Sequence, residues 1–328
     1  MHAIRLHAYG PPENLRYETL PTPDPAPDEV RIAVAAAGVH VLDAKLRAGE
    51  AGPPGSQPEL PHTPGREVAG VVEAVGADVD PAWRGRRVVA HLGPAPLHGG
   101  YAERTVVAAS RLHPLPDHVS DEAAVAMIGT GRTTMGILEV AQLERTDVAI
   151  VTAAAGGIGS LLVQAARNVD ACVVALAGGE RKVAQAKALG ADVAVDYTLP
   201  DWAVRVREQL GGYEPTIALD SVGGAVGREL LGLLGLGGRL ILIGWSSGSP
   251  TEITVDDLYG GGLTVSAALG PRIMRRPGGV RGLEEQALAK LASGELQPAI
   301  ERFPLADAAA AHAALESRRT SGKVVLVA

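Results

Sequence analysis

Residues 148–167, Val-Ala-Ile-Val-Thr-Ala-Ala-Ala-Gly-Gly-Ile-Gly-Ser-Leu-Leu-Val-Gln-Ala-Ala-Arg, pass from a short β-branched run to a helical pattern across one glycine-rich turn. That succession predicts a strand, a tight turn and a helix. Such a turn aims the backbone N–H groups of a helix N-terminus at an anion, and the lack of side chains lets a pyrophosphate come close. Ala154 stands where the first glycine of G-x-G-x-x-G would be, and Gly156 and Gly159 fill the second and third places around Gly157 and Ile158. Taken alone, the turn is equally compatible with an ordinary strand-to-helix connection in a parallel sheet.

Its surroundings narrow the choice. From Thr146 to about Gly244, predicted strands (148–152, 172–176, 193–196, 216–220, 239–243) alternate with predicted helices (158–169, 180–189, 202–210, 226–234), the pattern of a doubly wound α/β sheet. Glycines at Gly190, Gly211-Gly212 and Gly237-Gly238 sit where helices should end. With 328 residues the chain is long for one domain, and 46% apolar residues with only three Trp, six Tyr and one Phe imply a core of Ala, Val, Leu and Ile.

The end of the second strand says more than the glycines do. In a fold that binds NAD, an acid roughly 20 residues past the glycine turn accepts hydrogen bonds from the ribose 2′-hydroxyl. Here that place is Leu176-Ala177, followed by Gly178-Gly179-Glu180-Arg181-Lys182. Arg181 and Lys182 suit a 2′-phosphate, so the cofactor reads as NADP(H); the plainer alternative is a solvated first helical turn.

Residues 1 to about 120 have a different texture: short strands, clearest at 30–36 and 68–75, separated by Pro and Gly clusters, including a loop at 51–58. Ser120 caps a helix that Gly129 to Gly131 should break before a second helical stretch through Leu143. A strand is predicted at 263–268, helices at 283–292 and 306–316, and a closing strand at 323–327. A closing strand after so long an excursion is expected to rejoin the early sheet, which gives a β-rich domain of residues 1–120 and 270–328 around a dinucleotide-binding domain of residues 121–269.

Charge and cysteine content exclude several classes. A net charge of −7 without Lys/Arg runs gives no footprint for nucleic acid. The single cysteine, Cys172, excludes internal disulfides and thiolate zinc clusters and suits a reducing compartment. With no long uncharged apolar stretch and no signal-like h-region, a soluble cytoplasmic protein without membrane partners is expected.

A family resemblance follows from motifs spread over nearly the whole chain: Ala36-Ala-Gly-Val-His-Val-Leu-Asp43, His62-Thr-Pro-Gly-Arg-Glu67, Gly100-Tyr-Ala-Glu103, Ala153-Ala-Ala-Gly-Gly-Ile-Gly159, Ala186-Lys-Ala-Leu-Gly-Ala-Asp192, Asp220-Ser-Val-Gly-Gly224 and Gly322-Lys-Val-Val-Leu326. In order and spacing they resemble the medium-chain dehydrogenase/reductase superfamily, specifically its zinc-independent quinone oxidoreductase branch. The resemblance implies a GroES-like β-rich catalytic domain, a Rossmann domain, and a cleft between them holding the nicotinamide. It also implies that Lys182 and Tyr197 hold the 2′-phosphate, although Tyr197 is equally readable as a strand-end aromatic packed on a helix. Thr133, Gly244, Trp245 and Leu269 match segments that face the cofactor, and Asp220 matches a turn bordering it.

Zinc-dependent relatives carry Cys where this chain has His40 and His where it has Arg66, and an Arg stays protonated and cannot ligate a metal. His40 and Glu67 would supply two ligands, with His62 near in sequence, and a catalytic zinc needs three protein ligands, so no metal is expected. Hydride transfer then proceeds without Lewis-acid help, and His40, where the zinc-free branch commonly has Asn, either donates to the oxygen that gains charge or merely fills space. The function expected is NADPH-dependent reduction of a quinone or enone; the alternatives are an enoyl thioester reductase on the same scaffold and an NADPH-binding sensor without turnover. The apolar strand at 263–268, at the edge of the sheet, predicts a homodimer.

Overall fold

A computed structural model of the chain describes residues 1–50, 57–93 and 96–328. The loop expected at 51–58 lies outside them as far as residue 56. Two compact units result: Met1–Thr130 with Leu288–Gly294 and Ile300–Ala328, and Gly131–Ala287 with Glu295–Ala299. Residues 121–130, 270–287 and 295–299 therefore group differently from the boundaries expected at 120 and 270.

The first unit is built on a seven-stranded sheet. Its longest members, Glu29–Gly38 and Glu67–Val75, pair antiparallel, and Arg87–His91 and Leu112–Pro114 follow outward on one side. On the other side the closing strand Lys323–Val327 lies antiparallel to Ala36–Gly38 and carries Ile300–Pro304 parallel at the edge. Val, Ile and Leu from these strands, with Tyr101 and the Ala-rich helix Ala308–Glu316, form one buried core. The register brings three strand ends together: Gly38 ends one strand, Glu67 begins the next, and Lys323 begins the closing one.

Ser120 caps helix Asp121–Ala126 through its hydroxyl, which accepts from the Ala123 N–H at 3.2 Å. The glycines expected to break the helical run do not break it. Met127–Gly131 form a π-helical turn that leads into helix Arg132–Ala141. Packing overrides propensity there: a Cβ on Gly129 would stand 1.5 Å from Glu67 Oε1, so glycine is what the neighbouring carboxylate permits.

The second unit is a six-stranded, all-parallel sheet. In chain order its strands are Val148–Val151, Cys172–Ala177, Val193–Asp196, Ile217–Asp220, Arg239–Leu242 and Thr264–Ala267, arranged across the sheet as 3-2-1-4-5-6. That is the order of the Rossmann fold, with its crevice at the first strand, where the order reverses. The strands are near-continuous buried Val, Ala, Ile and Leu because helices such as Gly157–Asn168 and Trp202–Leu210 cover the sheet. No helix among the described residues is long and apolar enough to cross a membrane.

Candidate active site

In the second unit the turn after Val148–Val151 takes the form expected, with one difference in where its conformational demand falls. The residue with positive φ is Ala153, at 47°, and not Ala154, which is buried and donates its N–H to Leu176 O at 3.0 Å. A non-glycine residue held at positive φ costs on the order of 1–3 kcal/mol, which the surrounding packing must offset. Gly156 caps helix Gly157–Asn168, whose first turn includes Ile158, and Gly159 touches the turn so closely that a Cβ would lie 2.2 Å from Ala153 O. The helix thus begins with open backbone N–H groups facing the end of the sheet, a geometry suited to pyrophosphate.

Beside it, the second strand ends at Ala177, and Gly179, at φ 86°, caps helix Glu180–Ala188, with Arg181 and Lys182 in its first turn. The ring of Tyr197, just past the third strand, lies against Gly178, whose Cβ would be 3.6 Å from its hydroxyl. A Cβ on Gly179 would meet nothing within 4 Å, so room exists at this corner. Arg181 and Lys182, read together as a 2′-phosphate pair, thus directly follow the two glycines, one of which the Tyr197 ring lies against. The sequence reading passed over Asp196. Burial raises its pKa, but the Gly179 and Thr198 backbone N–H groups and the Thr198 hydroxyl hold it below its usual range. Its Oδ1 is engaged by Thr198 through both backbone and hydroxyl.

The remaining carried-over residues are spread over this unit. Thr133 lies in the first turn of helix Arg132–Ala141, next to Arg132, which pairs with Glu284 at 2.9 Å. Gly244 and Trp245 follow the fifth strand, and Trp245 is 57% exposed, so it is no core residue. Leu269 packs on the edge of the core below the sheet. Asp220 is fully buried: it accepts from the Thr152 hydroxyl (3.1 Å), the Thr251 hydroxyl (2.9 Å) and the N–H groups of Val222 and Gly223. These bonds pin its own turn.

In the first unit the catalytic candidate, His40, precedes helix Val41–Ala48 as its N-cap. Its N–H donates to Asp43 Oδ2 at 2.8 Å, so the helix start fixes its backbone. Asp43 is buried and also accepts from Arg66 Nε at 3.0 Å and from the Tyr101 hydroxyl at 3.2 Å. Burial raises the Asp43 pKa, but the Arg66 guanidinium and the neighbouring His40 N–H hold it below the usual value. Arg66, which stands where zinc-dependent relatives have His, is therefore an anchor for Asp43. Behind this, His312 lies 3.2 Å from the Tyr101 hydroxyl, and burial pushes its pKa down to about 4, so it is neutral at physiological pH. His62, from the same motif as Arg66, is likewise pushed to about 4 by burial and by Arg5.

The ring of His40 meets a second, deeper group. Its Nε2 lies 2.5 Å from Glu67 Oε1, and Lys323 Nζ lies 2.9 Å from Glu67 Oε2; Glu67 is fully buried and Lys323 is 5% exposed. Both are close charge contacts whose angles fall outside hydrogen-bond geometry. Burial raises the Glu67 pKa, yet His40 and Lys323 beside it, with His91 opposite on the paired strand, hold the carboxyl well below its usual range. Two glycines leave just enough space for it: a Cβ on Gly38 would lie 2.2 Å from Oε2, and one on Gly129 1.5 Å from Oε1. Sequence reasoning weighed Glu67 only as a metal ligand and Lys323 only as part of a motif. A lysine opening an otherwise apolar strand, Lys-Val-Val-Leu-Val, was the available signal, since an internal lysine needs a partner. Among the described residues, no three His, Cys, Asp or Glu side chains gather as a metal site would require.

Comparison with known proteins agrees with this division. Residues 26–117 match the alcohol dehydrogenase GroES-like domain, and residues 157–285 match the family described as zinc-binding dehydrogenase. A quinone oxidoreductase of Pseudomonas aeruginosa is 32% identical over 99% of this chain and 98% of its own length. Among solved structures, one described as an NAD-dependent alcohol dehydrogenase superposes with a TM-score of 0.88 at 32% identity, covering 100% of both chains. Quinone oxidoreductase of Escherichia coli, solved in complex with NADPH, superposes with a TM-score of 0.85 at 28% identity, again covering 100% of both chains.

Proposed function

The chain belongs to the medium-chain dehydrogenase/reductase superfamily, in its quinone oxidoreductase branch, and from that membership we propose that it is an NADPH-dependent, zinc-free reductase of quinones and other activated enones. The observation that carries the cofactor choice is the corner where the second strand ends: no acid stands at Leu176-Ala177, Arg181 and Lys182 lie in the first turn of the helix that follows, the Tyr197 ring lies against Gly178, and Asp196 is taken up by Thr198 and the Gly179 N–H. NADPH, when bound, supplies the hydride.

The chain's own residues do the rest. The N–H groups of Gly157, Ile158 and Gly159 cradle the pyrophosphate beside Gly156, whose own N–H closes the turn on Ala153 O, Arg181, Lys182 and Tyr197 hold the 2′-phosphate, and Thr133, Gly244, Trp245 and Leu269 border the nicotinamide end. His40 donates to the acceptor oxygen as charge builds there, in place of a Lewis acid. The zinc-free reading rests on residue chemistry: Arg66 is committed to Asp43, and Glu67, the carboxylate nearest His40, already has Lys323 as its cation.

Titration with NADPH and NADH, followed by an acceptor panel, tests the reading. NADPH should bind more tightly, and His40→Ala should lower kcat on a good quinone about 100-fold with little change in NADPH affinity. Unchanged turnover at saturating NADPH would remove the histidine from the mechanism. Activity on crotonyl thioesters with none on benzoquinones would replace this function with enoyl reduction, and NADPH binding without turnover of any acceptor would favour a sensor.

We also propose a homodimer acting in the cytoplasm, the single cysteine being suited to a reducing compartment. Thr264–Ala267 is the edge strand of its sheet. Leu236, Val255 and Tyr259, from the segments leading to the last two strands, are 88, 65 and 84% exposed. A second copy of the edge strand would extend the sheet across a two-fold axis and cover apolar side chains of this kind. Light scattering at micromolar concentration should give twice the 33.7 kDa chain mass; a monomer refutes the dimer.

A further inference from the structure

We propose that Glu67, held by Lys323, fixes the proton of neutral His40 on Nε2, so that Nδ1 keeps the lone pair and can donate only after the ring takes up a second proton. Glu67 and Lys323 are then positioning residues for His40. The consequence for turnover rests on the function proposed above; the tautomer does not.

The geometry leaves the ring little choice. Nε2 is buried and lies 2.5 Å from Glu67 Oε1. An ionised carboxylate only accepts, so a bare Nε2 lone pair facing it at that distance would be repelled, whereas a protonated Nε2 is attracted to it even without ideal hydrogen-bond angles. Lys323 Nζ, at 2.9 Å from the other oxygen, keeps the carboxylate ionised. Nor can the carboxylate turn away, because the Gly38 and Gly129 backbones close on its two oxygens. From the helix side, Asp43 holds the His40 N–H and is itself held by Arg66. The charged or titratable groups around the imidazole are thus Glu67, Lys323 and His91 on the strand side and Asp43 and Arg66 on the helix side. The His40 side chain is one quarter exposed while its Nε2 is buried, and the same side chain closes a capping box with the Asp43 N–H, a role in which Nδ1, the nitrogen turned from Glu67, acts as acceptor and keeps its lone pair.

Neutral His40 therefore presents a lone pair at Nδ1. It donates there only as imidazolium, the doubly protonated ring whose positive charge Glu67 balances; one proton leaves from Nδ1 to the ligand oxygen, and water restores it. Glu67→Gln reverses the arrangement. Lys323 will draw the amide oxygen to its side, the amide NH2 will donate to Nε2, and the proton of neutral His40 will move to Nδ1.

The test is histidine tautomer spectroscopy on the free, full-length protein with 15N-labelled histidine, at alkaline pH where imidazoles are neutral, the signals being assigned by their loss in His40→Asn. The bare nitrogen, recognised by its far-downfield 15N shift, should be Nδ1 in the wild type and Nε2 in Glu67→Gln. A wild-type spectrum with the proton on Nδ1 overturns the proposal outright, whether or not Glu67→Gln folds. A folded Glu67→Gln protein that keeps the proton on Nε2 overturns the role given to Glu67. In turnover, the wild-type kcat/KM should fall toward alkaline pH, and Glu67→Gln should flatten that fall. Failure of every acceptor to turn over would count against the function and leave the spectroscopic result standing.

Discussion

Replacing Glu67 by alanine should lower stability by about 3–5 kcal/mol, the usual cost of removing one partner from a buried ion pair. Glu67 is 0% and Lys323 5% exposed, so the ammonium left behind can neither regain water nor find another anion in the glycine-walled space the carboxylate vacates. Urea unfolding at pH 7 measures the loss, and Glu67→Ala with Lys323→Met should recover a good part of it by removing the stranded charge. The pH dependence has a definite sign. The folded-state pKa of Glu67 lies well below the ordinary 4.5, so its stabilisation is complete above about pH 4.5 and disappears as pH falls through the folded value. The gap between wild type and Glu67→Ala should therefore be widest near neutrality and close in acid. A loss under about 1 kcal/mol at pH 7 would mean that the pair behaves like a solvated surface bridge, and would remove the basis for a rigid carboxylate behind His40.

Gly159→Ala should raise the Kd for NADPH about 10- to 100-fold, or roughly 1.4–2.8 kcal/mol. The new Cβ would stand 2.2 Å from Ala153 O and 2.8 Å from Ala154 Cα, both backbone atoms of the turn, so no side chain can swing aside to relieve it. Ala153 already sits at φ 47° and has little freedom left to absorb the displacement. Gly156→Ala meets only Ala153 O, at 3.2 Å, and should disturb the turn itself less. Equilibrium titration of nicotinamide fluorescence reads both variants. An unchanged Kd in a folded Gly159→Ala protein would show that this turn does not set the approach to the cofactor.

The parallel-sheet unit was legible because its elements are local: β-branched runs, Ala-rich helices and glycine stops announce themselves within windows of about ten residues. Val193–Asp196, Trp202–Leu210 and Lys323–Val327 fall where periodicity puts them. Gly129–Gly131 were misread because glycine's low helix propensity is a local signal, whereas the carboxylate that demands glycine at position 129 comes from a strand some sixty residues earlier. The same limit explains the site. His40 was visible from its motif, and Arg181 and Lys182 from their distance to the glycine turn. The Glu67–Lys323 clamp depends on register: the closing strand must lie antiparallel to Ala36–Gly38 before Lys323 can meet Glu67. No window of sequence contains that information.

That closing strand also bears on synthesis. The parallel-sheet unit lies in one nearly continuous stretch and can fold as soon as it clears the ribosome, whereas the sheet carrying His40 lacks its neighbour to Ala36–Gly38 until residues 323–327 emerge. Until then Glu67 has no lysine beside it and no reason to give up water. A nascent chain thus acquires its dinucleotide fold early and its ordered imidazole last, so that competence for chemistry arrives with the final strand and a polypeptide cut short before Lys323 would carry the cofactor unit without a finished partner for it.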